Sequence, residues 1–358
     1  MIVRSRTPGF LSYLLPTAII ICCNITPTIA MRSYIQYENF FPAWDHIIKE
    51  QLLDERCTEP LSNYRNRSDP TRQLGYGVLG CVLDTMPEYR KAELASAAVI
   101  LGLAPTMLQL MSASYLDTAM LAYRRPVLAS LLSMSSSGVR PLTATEYDDF
   151  ITKMGTDPFH TNFGRPQSVW APTVVSMLEY TVASAAVANN AHLAYQLSTL
   201  AVCTFSPAED FLPAAWTAAA VLIHLVGYLA ARLKISVKDA EGEKNNRDKL
   251  SQRVWAELTP TPWQNRLEVK TNHKHTGWFL VLVSALYIGD ALQAFCGTLI
   301  LSSLVFISVR DSAIIVIRLM ASALFARGIL IYELAGFRTE RDGSDASDKP
   351  HYSAVETQ

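Results

Sequence analysis

Polar and apolar positions along this chain separate into long blocks instead of alternating residue by residue. Five blocks run apolar for 20 residues or more: about 92–114, 169–203, 211–235, 277–308 and 312–337. An α-helix needs about 20 such residues to cross a bilayer, so each block predicts a membrane span. The fourth is longer than a crossing requires, which predicts tilt, a bend or projection beyond the lipid. A shorter apolar stretch, Leu11 to Cys23, follows Arg4 and Arg6 and precedes the small residues of Thr28-Ile-Ala30, the pattern of a cleaved signal peptide or signal anchor over 1–30. Between 31 and 91 the chain is polar. Trp44, Ile47, Ile48, Leu52 and Leu53 recur there at helical spacing, predicting a small extracytosolic α-helical domain.

One apolar stretch does not fit a span. Asp117 to Met134 carries Arg124 and Arg125 at its centre. Charges there make a crossing costly, so the stretch predicts an interfacial helix lying on the membrane surface. The fold class expected is therefore all-α: a polytopic transmembrane helical bundle of about five mature spans with that N-terminal domain. The domains run 1–30, 31–91, spans one to three over 92–235, a loop at 236–276, spans four and five over 277–337, and a disordered tail at 338–358.

Charge sets the expected orientation. The loop from Arg232 to His275 holds 10 basic and 6 acidic residues, whereas Ser206 to Asp210 holds no Lys or Arg. By the positive-inside rule the long loop and the C-terminus are cytosolic and the N-terminus extracytosolic, in the secretory pathway and its plasma membrane. Arg90 and Lys91, outside the first span, oppose this orientation. Cys57 and Cys81 flank the sequon Asn66-Arg67-Ser68. Both features suit an oxidising lumen: a disulfide between the cysteines and glycosylation at Asn66. The bridge would contribute about 3 kcal/mol to a domain too small for a large core. The alternative is two free thiols.

Composition adds limits. The 358 residues are 50% hydrophobic and 18% charged with a net charge of −1, which excludes a basic nucleic-acid binder. No H-E-x-x-H, G-x-S-x-G, P-loop or C-x-x-C occurs, so no catalytic residues, metal site or cofactor is assigned from motifs. Gly75-Tyr-Gly77-Val-Leu-Gly80 matches G-x-G-x-x-G without the strand a dinucleotide site needs, and reads as a flexible turn.

Intramembrane polar residues are the remaining candidates. His192 and His224 are placed symmetrically about the hairpin at 206–210, with Asn189 and Gln196 on the face of His192 and Thr217 and Tyr228 on that of His224. Facing each other, the histidines could bind haem or a metal as cofactor ligands; otherwise they hydrogen-bond across helices. Asp290 and Arg327 are symmetric about the break near 308, with Gln293 one turn away. They predict an intramembrane ion pair, either a proton or ion path or a register-fixing bridge. Arg318 is expected to snorkel, and Cys203 and Cys296 to pack inertly.

Cys81-Val-Leu-Asp-Thr-Met-Pro-Glu-Tyr-Arg-Lys, Ala95-Ser-Ala-Ala-Val-Ile-Leu-Gly-Leu-Ala-Pro105-Thr and Arg124-Arg-Pro-Val-Leu, together with the span layout, resemble a group of fungal multi-span integral membrane proteins of uncharacterised function. The resemblance implies a membrane accessory and supplies no site residues. The leading expectation is a non-enzymatic accessory or scaffold in the lipid bilayer, meeting protein partners through 31–91 or 232–275. The alternatives are a redox or haem protein using the histidine pair and a small transporter using Asp290 and Arg327.

Overall fold

The structure is a computed structural model that describes residues 36–66, 74–142, 170–207, 209–239, 255–263, 267–271 and 276–334. The expected signal segment and C-terminal tail lie outside the described residues, as does half of the long basic loop. Three short helices come first: α1 (Asp45–Leu52), α2 (Glu55–Arg65) and α3 (Leu74–Thr85). Five long helices follow: α4 (Glu88–Met111), α7 (Ala171–Thr199), α8 (Leu212–Lys234), α9 (Thr276–Ser302) and α10 (Val309–Leu334). All five are long and apolar enough to cross a membrane. Only 22–39% of their most apolar windows is buried within the protein. Large side chains such as Met177, Leu280, Ile288, Phe295, Ile317 and Phe325 stand exposed on the outside. An apolar exterior of that extent belongs against lipid. The architecture is thus an all-α polytopic bundle.

The short helices cap one end. Tyr37, Phe40, Trp44, Ile48, Tyr64, Val78 and Val82 form a buried cluster that also takes in Phe306, from the turn before α10. The Phe306 ring meets those of Tyr37 and Phe40 edge-on. Its φ of 68° is left-handed, an uncommon conformation for a non-glycine residue, held here by the ring's burial. Cys57 and Cys81 form a disulfide between α2 and α3 with Cα atoms 5.6 Å apart. The Gly75–Gly80 stretch is not a turn but the first half of α3. Its spacing of Leu74, Val78, Leu79 and Val82 outweighs the weak helix propensity of glycine. A Cβ on Gly75 would come within 2.9 Å of the Pro207 carbonyl oxygen, so glycine lets α3 lie against the α7–α8 connection. Further ties join cap to bundle. The Tyr76 hydroxyl donates to the Phe205 carbonyl at 2.8 Å, and the Ala43 amide donates to the Asp311 carboxylate at 3.3 Å. The two loops under the cap are joined by antiparallel strands, β1 (Val202–Cys203) with β4 (Leu304–Val305). At the opposite end β2 (Ile235–Asp239) and β3 (Leu267–Thr271) pair antiparallel, extending the chain beyond α8 and ahead of α9.

The expected surface helix at 117–134 is not on the surface. It is two short helices, α5 (Tyr115–Ala122) and α6 (Pro126–Met134), inserted among the long ones. Leu116, Ala119, Met120, Leu121, Leu128 and Ala129 are fully buried in one cluster with residues of α8, α9 and α10. An apolar surface around the whole helix calls for burial, and this consideration outweighs the two arginines.

The path of the first span is interrupted. α4 starts beside the cap, where Arg90 lies over the Trp44 ring. It stops level with the middle of α9, where Gln109 hydrogen-bonds Asp290. The chain breaks at Ser112–Ser114, and α5 begins with a reciprocal capping box between Ser114 and Asp117. α5 then continues to the far end, where the Tyr123 hydroxyl donates to the Ile235 carbonyl. α6 returns: Arg125 at its start bonds Ser176 near the beginning of α7, and the Met134 carbonyl at its end bonds Asn190. Backbone freed from helices is therefore held at mid-bundle level by two segments, 112–114 and 135–140. They meet through the Ser112–Ser136 hydroxyl contact at 2.6 Å and the Arg140 amide bonded to the Ala113 carbonyl at 3.1 Å.

Close approach of α5 to α8 depends on Gly227, where a Cβ would lie 2.5 Å from the Tyr115 Cβ. Gly227→Ala is expected to lower unfolding stability in detergent by about 1–3 kcal/mol. Gly289→Ala, with nothing within 4 Å, is expected to stay within about 0.5 kcal/mol of the parent. Replacing Cys57 and Cys81 with serine should lower the stability of the cap by about 3 kcal/mol, read as faster limited proteolysis between 45 and 85.

Candidate functional site

The two histidines do not meet. His224 is buried, and its Nδ1 lies 2.9 Å from the Thr118 hydroxyl of α5. His192 is exposed on the outer face of α7. His192 faces outward while His224 turns to Thr118 of α5, so the cofactor reading at His192 and His224 is not supported by the geometry. Their expected companions also divide: Thr217 bonds the Pro213 carbonyl of its own helix, and Tyr228 packs against Tyr123. No group of three or more His, Cys, Asp or Glu that could hold a metal occurs among the described residues.

The Asp290–Arg327 ion pair does not form either. Both side chains turn to the C-terminal end of α4, at successive residues. The Gln109 amide donates to the Asp290 Oδ2 at 3.0 Å, and Arg327 donates to the Leu110 carbonyl at 3.1 Å. Symmetry about the hairpin gave both residues a comparable depth, but the broken helix lies between them. Arg318 does not snorkel. It donates to the Asn189 and Gln196 side-chain oxygens of α7 at 2.9 and 3.1 Å. Cys203 is buried and Cys296 exposed. Asn66 is exposed at the end of α2, while Arg67 and Ser68 lie outside the described residues.

Two polar centres emerge instead. The first surrounds the chain breaks at mid-bundle level. Gln293 donates to the Ser137 carbonyl at 2.6 Å, and the Ser137 hydroxyl donates to Asn190 at 2.8 Å. The Trp216 indole donates to the Gln293 carbonyl at 3.0 Å. Asp290 is 3% exposed, and its Oδ1 accepts no hydrogen bond among the described residues. No lysine or arginine forms an ion pair with it there. Irregular backbone at this depth is tolerated where protein encloses it or where it lines a path through the bundle. Asp290 and Gln293 were visible in the sequence as polar residues inside a span. Gln109, Ser112, Ser136 and Ser137 carried no comparable signal, because the break that gathers them was not legible.

The second centre closes the far end. Arg125 has no exposed surface and uses its donors on three long-range partners of α7 and α10 and one from the 255–258 helical turn. Nη1 reaches Glu179 and, at 2.7 Å, Glu333; Nη2 reaches Ser176 at 2.6 Å; Nε reaches the Glu257 carbonyl at 2.9 Å. Glu333 also accepts from the amide and hydroxyl of Thr261. The Glu257 carboxylate accepts from the amides of Val127 and Leu128, at the N-terminal turn of α6, and from the Tyr180 hydroxyl. Burial pushes the Glu257 carboxyl above the usual carboxylate range, and those hydrogen bonds oppose the shift. Engaging all three nitrogens of a buried guanidinium in this way is a structural arrangement: it fixes α6 against α7 and α10 and ties the loop segment to both.

The chain matches no family model, no curated protein and no solved structure. Its reading therefore rests on these two centres. Arg125→Met is expected to lower stability by about 3–5 kcal/mol, because Glu179 and Glu333 lose their counter-charge in a buried setting. Adding Glu179→Gln and Glu333→Gln should recover most of that loss, measured as unfolding in detergent.

Proposed function

We propose that the protein is a non-enzymatic integral membrane protein that passes a small ion or polar solute through the mid-bundle centre. One observation carries this reading: Asp290 is a buried carboxylate with an unpartnered oxygen, placed where two stretches of non-helical backbone meet at the middle of five apolar helices. Transporters that bind at mid-membrane use discontinuous helices of this kind, whose exposed ends supply polar groups that unbroken helices lack. A pure scaffold needs neither an unpaired charge nor a broken span, and both features cost stability. The accessory role expected from the resemblance gains no comparable support from the geometry. In the orientation that fits the disulfide, the exposed Asn66 and the basic segments after α8, the cap is extracytosolic and the Arg125 cluster lies at the cytosolic end, with plasma membrane the natural location.

The test is flux in sealed vesicles containing the purified full chain. Gradients of Na⁺, K⁺ and H⁺ are followed with ion-sensitive dyes. At least one should decay faster than in protein-free vesicles, and Asp290→Asn should return the rate to background. No flux of any of the three above background would overturn the reading.

A further inference from the structure

We infer that Asp290 is the anionic ligand of a binding site for one dehydrated alkali-metal cation, completed by carbonyl groups at the interrupted ends of α4 and α6. This deepens the proposed passage reading and rests on it for function, though binding can be measured without flux.

The first support is the carboxylate itself. Gln109 holds Oδ2, both by its bond to that oxygen and by a second bond at 3.1 Å to the Asp290 carbonyl, so the side chain is fixed in place. Oδ1 is left without a partner in a residue 97% removed from solvent. A proton on Oδ1 would remove the charge and donate to one of the nearby carbonyls, and the pH dependence of stability distinguishes that occupant from a metal cation. A cation satisfies the oxygen and the charge together.

The second support is the field around it. Two helices end near this level, α4 at Met111 and α6 at Met134, and a helix C-terminus carries roughly half a negative charge. The nearby N-terminus of α5 offers no compensating positive end, because Asp117 and Ser114 cap it. The charged and titratable groups around the breaks are all engaged elsewhere. Arg327 is bound to the Leu110 carbonyl, Arg140 lies beside Asp117 in the 135–142 segment, and His224 faces Thr118. The two acids and two arginines at this level balance in number, but neither arginine pairs with Asp290, which carries no fixed counter-charge of its own.

The third support is ligand type. The groups at this level are one carboxylate, the Leu110, Met134, Ser137 and Gly138 carbonyls, each accepting one hydrogen bond and keeping a second lone pair, and the mutually bonded Ser112 and Ser136 hydroxyls. Hard oxygen donors with a single formal negative charge match a monovalent cation. A divalent ion would want more carboxylates, and an anion is repelled.

The experiment is thermal unfolding of the purified full chain in detergent at fixed ionic strength, with NaCl, KCl or choline chloride. Na⁺ or K⁺ is expected to raise the melting temperature saturably relative to choline. Asp290→Asn, checked for folding by gel filtration, should abolish the rise. Gln109→Leu frees the carboxylate without removing it, and should retain the rise but need several-fold more cation for half of it. Identical melting in the three salts would overturn the site. So would a pH-dependent stability that Asp290→Asn removes with no alkali-metal effect, which would assign a proton to Asp290. Saturable stabilisation without flux leaves the site standing and removes the passage reading. Flux that survives Asp290→Asn, with no cation-dependent melting, removes the site and leaves passage through another route.

Discussion

The buried guanidinium of Arg125 is the interaction on which the arrangement of this bundle depends. A charge with no exposed surface is tolerable only when it is paired and hydrogen-bonded, and here the partners come from α7, α10 and the segment around Glu257. Without them α5 and α6 could not enter the bundle, since the arginine would have to stay at an interface. With them, most of the apolar surface of both short helices is buried, against α8, α9 and α10. The hydrophobic gain from that burial favours insertion, and the charge cluster makes insertion possible.

Insertion of this hairpin in turn creates the mid-bundle centre. A chain that goes in and comes back must break its helices inside, and each break frees backbone groups that need partners. Ser136, Asn190 and Gln293 supply them, which accounts for much of the concentration of neutral polar side chains at one level. Asp290 is the exception, because neutral amides leave one of its oxygens unmatched. Glu179 Oε1 is likewise unpartnered but belongs to a carboxylate already paired with Arg125, whereas Asp290 has no cation beside it among the described residues. The two ends are closed differently, by a disulfide-stapled aromatic cluster beneath α1–α3 and by the charge cluster around Arg125.

The misreadings of the sequence have one physical origin. Arg124 and Arg125 were weighed as isolated charges, and by that measure a surface helix was reasonable. The cost of an arginine depends on its partners, and Glu179 and Glu333 lie 54 and 208 residues away. The histidine and aspartate–arginine pairs were inferred from equal depth on neighbouring spans, which assumes that consecutive helices face each other directly. That assumption fails in both cases: α4 lies between α9 and α10, so Asp290 and Arg327 meet consecutive residues of α4, and His192 faces outward while His224 meets Thr118.

By itself, the sequence determined what depends on local composition. Runs of apolar residues longer than a bilayer is thick produced the five long helices, and the helical spacing around Trp44 and Ile48 produced the first helix of the cap. The Cys57–Cys81 pair was also legible, since only two cysteines lie in the polar domain and α2 and α3 bring them to bridging distance. Only the tertiary structure decided which polar residues meet, that the first crossing is broken, and that an arginine-bearing segment lies at the core. Those outcomes balance desolvation against partners far apart in the chain, and that balance exists only once the helices have packed.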